Sequence, residues 1–254
     1  MEAEKMKKGA LSILALLVLW ASFSAASAAP EKSQSGEDWV ILLHGLGRSS
    51  RSLARLEADL AGQGYSVLNL DYPSLKYPIA YLAEEVLHPE VARISAASPV
   101  KIHFVTHSMG GIVVRYYLKH HDVFSLGRVV MLAPPNQGSA LADLFMKSAL
   151  FRKFMAPAGR ELGTGRESLS RRLGGPDYEL GVIAGSRSHN PVSSLILEGP
   201  DDGTVTVEST RIPGRTDFIV LPCSHNSLVR DKKAIGQVIH FLRHGAFQRA
   251  AGSE

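Results

Sequence analysis

Between Trp39 and Leu221 the chain repeats one pattern: a short, almost wholly apolar run, a break of small or polar residues, then a stretch with helical spacing. The apolar runs fall at 39–43, 65–70, 100–105, 128–132, 180–184 and 217–221. Runs of this length without apolar–polar alternation are what strands covered on both faces look like. The stretches between them (50–60, 79–94, 111–120 and, after the last run, 232–244) place apolar residues three and four apart, as in Leu53, Leu56 and Leu60. Strand and helix in alternation predict an α/β fold with a mostly parallel central sheet flanked by helices. A chain of 254 residues with 45% apolar and 20% charged residues is large and apolar enough to fill such a core.

The first 28 residues follow a different rule. Lys5, Lys7 and Lys8 precede an apolar stretch at 11–23 interrupted only by Ser12 and Ser22, and Ala26-Ser27-Ala28 fits a small-x-small cleavage site. The stretch is shorter than the roughly 20 residues that cross a bilayer. The expectation is a signal peptide at 1–28 and an exported protein, periplasmic or secreted, with an uncleaved anchor as the alternative. A linker at 29–38, a main domain at 39–244 and a flexible tail at 245–254 complete the division. Cys223 is the sole cysteine, so no internal disulfide forms. The net charge of +4 is spread along the chain, and Arg160, Arg166, Arg171 and Arg172 have no aromatic residues interleaved. No nucleic-acid partner is expected from that pattern.

Thr106-His107-Ser108-Met109-Gly110-Gly111 lies between an expected strand and an expected helix. A tight turn there lifts a serine hydroxyl above the sheet edge, provided the residues two positions either side are small. Gly110 meets this. Thr106 is bulkier than the usual glycine, so the turn must open slightly. A serine needs a base, and the base an acid to orient it. Ten histidines are present, but His225, in Pro222-Cys223-Ser224-His225-Asn226-Ser227, is the one directly after the last strand and before the last helix. The acid candidate is Asp202 in a turn-rich loop, with Asp201 beside it as a rival. Gly45 and Gly47 let the backbone after the first strand approach the site. The N–H groups of Leu46 and Met109 then become candidate donors to a developing oxyanion.

With His44-Gly45-Leu46-Gly47, the serine turn, Ala133-Pro134-Pro135-Asn136-Gln137-Gly138-Ser139, Asp201-Asp202-Gly203 and Ser224-His225-Asn226 in this order, residues 39 to 244 resemble the α/β-hydrolase superfamily, and within it the bacterial lipase and esterase branch. The resemblance implies the α/β-hydrolase fold, a nucleophile at Ser108, an acid at Asp202, a base at His225 and an oxyanion hole at Leu46 and Met109. Several members bind a structural calcium ion. No acidic cluster here asks for one, so no metal and no cofactor is expected.

Residues 139–178 break the strand–helix rhythm, which predicts a helical cap or lid insertion. Its apolar residues, with Leu141, Leu144, Phe145 and Phe151 as candidate substrate contacts, suit an acyl chain and a contact with lipid or a membrane surface. The expected activity is hydrolysis of a small-molecule acyl ester by a Ser-His-Asp acyl-enzyme route. An acyltransferase or thioesterase on the same residues, and a non-catalytic ligand-binding member of the fold, stay open as alternatives.

Overall fold

The computed structural model describes residues 37–147 and 157–249. Six strands form one sheet: β1 Trp39–Leu43, β2 Ser66–Leu70, β3 Ile102–His107, β4 Leu126–Leu132, β5 Leu180–Gly185 and β6 Asp217–Leu221. Their order is β2-β1-β3-β4-β5-β6, and every neighbouring pair is parallel. The helices are α1 Ala54–Ala61, α2 Ile79–Tyr81, α3 His88–Ala96, α4 Met109–His120, α5 Ala140–Lys147, α6 Pro157–Arg160, α7 Leu169–Arg172, α8 Pro191–Ser194 and α9 Lys232–His244. The expected signal peptide at 1–28 lies outside the described residues.

Burial explains why the strands read as unbroken apolar runs. All five residues of β1 are buried, with Trp39, Ile41 and Leu43 in one core and Val40 and Leu42 in the other. Helices α3 and α4 supply Val91, Ile94, Ile112 and Val113 to the first core, while α1 and α9 supply Leu56, Leu60, Ile235 and Val238 to the second. Covering both faces is the condition under which parallel sheets are stable, since their crossover helices must pack back on them. Each fully buried aliphatic side chain contributes about 1.5–3 kcal/mol relative to exposure.

Three local departures from the sequence expectation have physical causes. Strand β3 starts two residues later than the apolar run and ends two later. Val100 is 53% exposed, whereas Thr106 and His107 continue the ladder against Met131 and Leu132 of β4. The stretch at 79–94 is helical but contains a π turn at Leu82–Leu87 between α2 and α3. Pro89 has no N–H and its ring crowds the carbonyl four residues back, at Glu85, so the helix widens just ahead of it. Residues 245–249, expected as the start of a loose tail, fold back instead. Gly245 adopts a left-handed conformation, and Phe247 is buried against Phe241 with its N–H on Asp217 Oδ2 at 2.7 Å.

The strand order reverses between β1 and β3, because the chain moves outward to β2 and then returns past β1. Such switch points open a crevice at the carboxyl ends of the strands. The loops after β1 and β3 both emerge there, which brings 44–48 beside Ser108.

Candidate active site

Ser108 sits between β3 and α4 with φ 55° and ψ −126°, a conformation unfavourable for a residue with a side chain. The surroundings fix it. Its N–H donates to Leu132 O of β4 at 2.9 Å, and its carbonyl accepts from Gly111 N at 3.0 Å. Gly110 is obligatory at this crossing, since a Cβ there would lie 2.6 Å from Leu43 O and 2.8 Å from His44 O. The extra volume of Thr106 is absorbed by Gly111, where a Cβ would stand 3.2 Å from Thr106 Oγ1. That hydroxyl is buried without a hydrogen-bond partner.

Helix α4 begins at Met109, two residues earlier than the spacing predicts, so the Met109 N–H is one of the orphan donors of a helix N-terminus. The loop after β1 approaches from the other side. Gly45 packs so closely that a Cβ would touch Ser108 Cβ at 3.0 Å. Gly47, at φ 66°, donates its N–H to Ser74 Oγ at 3.0 Å. His44 braces the base of the loop: its ring stacks on Tyr72 at 4.0 Å, and its Nε2 accepts from Tyr72 N at 3.3 Å. Neither Leu46 N nor Met109 N has a protein acceptor among the described residues.

His225 and Asp202 come together in the loops after β6 and β5. His225 Nδ1 lies 2.7 Å from Asp202 Oδ2, and His225 N donates to Asp202 O at 2.9 Å. Asp202 is 2% exposed, and its other carboxylate oxygen accepts from Thr204 N and Val205 N, both at 2.9 Å. Asp201 points elsewhere, its Oδ1 accepting from Gly203 N at 2.7 Å and Ser194 Oγ at 3.1 Å. The two adjacent acids therefore separate by geometry. One faces the imidazole, and the other holds the loop.

His107, the residue before the serine, is fully buried. Its Nε2 donates to the carbonyl of His225 at 2.9 Å, and its Nδ1 has no partner. Burial first, then the nearby His225, drives its pKa well below the ordinary histidine value, so the ring is neutral.

A pocket of about 350 Å³ opens beside Ser108 and His225. Leu141 and Phe145, two of the candidate substrate contacts, line it together with Leu46 and with Ala142, Leu162 and Val205, which the sequence reading missed. Leu144 is corrected: it is 40% exposed and absent from the lining, because Leu141, Ala142 and Phe145 share one side of α5 and Leu144 falls on its flank. Phe151 lies outside the described residues. Leu162 belongs to a Gly- and Arg-rich stretch with no periodicity, so no pattern could have found it.

The cap is tied to the domain by side chains. Buried Arg115 of α4 donates to Asn136 Oδ1 at 3.1 Å, Ser170 O at 2.9 Å and Gly174 O at 2.7 Å, and burial lowers its pKa to about 10. Glu161 Oε2 accepts from Ile79 N at 2.7 Å, and Asp143 accepts from Thr164 N and Oγ1, joining two parts of the insertion.

Residues 40–241 match the family model described as the alpha/beta hydrolase family. The chain is 27% identical over 211 residues to lysosomal thioesterase PPT2 of Bos taurus, covering 70% of this chain and 68% of that protein, and equally similar to the Homo sapiens protein. Among solved structures it is similar to a mature Bacillus licheniformis lipase (TM-score 0.65, 22% identity, 85% of this chain and 95% of that one). It is also similar to phospholipase PlaB from Legionella pneumophila (TM-score 0.65, 20% identity, 83% and 59%). The fold, its strand order and the matched span together make this chain a member of the α/β hydrolase family.

Proposed function

We propose that the protein is a serine hydrolase that cleaves acyl esters through a covalent acyl-enzyme. The observation that carries this reading is the buried 2.7 Å pair of His225 and Asp202, with His225 lining the same pocket as Ser108. In the proposed first step His225 Nε2 takes the Ser108 proton while Oγ attacks the carbonyl carbon. The carbonyl oxygen gains the electron pair and rests against the Leu46 and Met109 N–H groups, each such donor supporting about 3 kcal/mol of transition-state stabilisation. Collapse breaks the bond to the leaving group, which receives the proton from His225. Water then repeats the sequence and releases the acid. Asp202 holds the imidazole with Nδ1 protonated and offsets the charge it acquires.

Leu141, Ala142, Phe145, Leu162 and Val205 form an apolar wall that supports an acyl chain as the bound group. Exposed Leu144 on α5 supports contact with a lipid surface through the cap. Thioester cleavage is the second reading, favoured by the similarity to a thioesterase; it uses the same atoms with a sulfur leaving group. The charged start, apolar stretch and small-residue site of the first 28 residues support export to the periplasm or beyond.

Labelling with a fluorophosphonate probe, alongside a Ser108→Ala variant, tests the reading. Labelling that disappears in the variant is expected, with turnover of p-nitrophenyl esters that rises with acyl length to the limit of the pocket. A folded protein that neither labels nor turns over any ester would overturn it.

A further inference from the structure

The pocket beside Ser108 is two-sided in its chemistry. The cap gives it an apolar wall, whereas Arg48 is its one permanently charged lining residue among the described residues. Arg48 is exposed, and its Nη2 donates to Asn226 Oδ1 at 2.7 Å. Among the described residues no carboxylate pairs with it, and its other guanidinium N–H groups have no protein acceptor. The charge is thus fixed in place by a neutral amide and left uncompensated. It reaches inward as well, adding to the burial that holds the neighbouring His107 ring neutral.

Arg48 also borders a second depression of about 200 Å³, which contains Tyr72, Ser74 and Lys76. Lys76 is exposed and has no acid partner among the described residues. The acid of that loop, Asp71, is engaged on its other side, accepting from Ser50 N at 2.8 Å and standing 3.5 Å from His44 Nε2. Two cations therefore flank one depression that, among the described residues, no carboxylate lines.

Direction follows from the proton transfer. The leaving atom must stand next to His225, because His225 gives it the proton. Asn226 is the next residue along the chain, and it is the one that holds Arg48. The acyl part then faces the cap, and the leaving group extends past Asn226 towards Arg48 and Lys76. We infer, resting on the acyl-transfer reading above, that the preferred substrate is an acyl ester or thioester whose alcohol or thiol part carries an anion, a phosphate or a carboxylate, received by Arg48. A guanidinium offers five donors in a planar fork that fits either oxyanion.

The test compares matched esters with the purified chain. The carboxylate arm is 4-carboxyphenyl butyrate against 4-carbamoylphenyl butyrate, each rate divided by its rate with hydroxide. The phosphate arm is 1-butyrylglycerol 3-phosphate against 1-butyrylglycerol. For an exposed cation, kcat/KM is expected to favour the anionic member of at least one pair by roughly three- to tenfold at low salt. The preference should shrink as salt rises to about 0.5 M, where screening is short-ranged. Arg48→Gln should bring the ratio to about one, and Arg48→Lys should keep part of it; an unchanged thermal midpoint confirms that the variants are folded. The arm that shows the larger ratio identifies the anion. Neutral esters cleaved with no anionic preference in either arm, or a preference that survives Arg48→Gln, would overturn the inference and leave the hydrolase reading intact. A preference for an anion on the acyl side, read with a monosuccinyl ester, would also overturn it. Absence of both turnover and probe labelling would instead remove the acyl-transfer reading on which it rests.

Discussion

The pocket has two walls made on different principles. On the sheet side, position comes from the backbone: a strained serine between β3 and α4, glycines at the points of closest approach, and loops that leave adjacent parallel strands. On the cap side, short helices are tied to the domain by side chains: polar ones reaching backbone groups, such as Arg115 to Ser170 and Gly174 and Glu161 to Ile79, and apolar ones such as Ala158, Leu162 and Leu173 that enter the first core. A wall held by backbone geometry has little freedom to vary. A wall held by side chains can change its lining without disturbing the chemistry opposite. The expectation is that substitutions on the sheet side act on rate, and those on the cap side on substrate choice and local stability.

The largest effects should test the sheet wall. Ser108→Ala is expected to lower kcat by about 10⁴- to 10⁶-fold with every ester, measured at saturating substrate. Asp202→Asn should cost about 10³- to 10⁴-fold, and Asp201→Asn less than about tenfold, since only Asp202 meets the imidazole. Equal losses from the two acids would erase the separation drawn between them. Gly110→Ala pushes a methyl against two β1-side carbonyls and is expected to destabilise the fold by about 1–3 kcal/mol or more, read from urea unfolding.

The cap wall should respond differently. Arg115→Met leaves the Ser170 and Gly174 carbonyls without their donor, and a loss of about 1–3 kcal/mol is expected. Faster tryptic cleavage at exposed Arg171 and Arg172 would locate that loss in the cap. Phe145→Ala should lower kcat/KM for long acyl esters by roughly tenfold while changing short ones little, following about 0.8 kcal/mol per buried methylene. A comparable loss on acetate esters would show that the cap contributes to chemistry and break the division between the walls.

The smallest effect concerns pH. His44, His103 and His107 all have pKa values below the ordinary 6.5, in each case mainly through burial. The unfolded chain then binds more protons than the folded one just below pH 6.5. Stability is full above that value and falls as pH drops from about 6.5 towards the folded pKa values. His107→Gln should flatten the acid limb of a plot of unfolding free energy against pH; an unaltered limb would assign the acid sensitivity to the other two.

The difference between the walls also explains what could be read from the sequence. The strands, Ser108 and His225 follow from apolar runs and from where loops must fall, because backbone-determined features leave a periodic trace. The same logic places Asp202 in the loop that meets His225, but two adjacent acids have the same composition, and only the turn at Gly203 separates their directions. Side-chain ties such as Arg115 leave no period. An arginine inside a helix reads as surface, and here it is 5% exposed among carbonyls. Leu162 and Arg48 are likewise invisible to pattern, since what they line is decided by loops that meet only after folding.

His107 carries one more consequence. It is bonded through the chain to Ser108 and through its ring to the backbone of His225, so one small rigid plate connects the two residues proposed to share a proton. Their separation is then governed by a ring that does not stretch rather than by two independent loops. Warming should leave that spacing almost constant until the sheet itself gives way. Loss of activity and loss of tertiary structure should coincide on heating, with no inactive but folded interval between them.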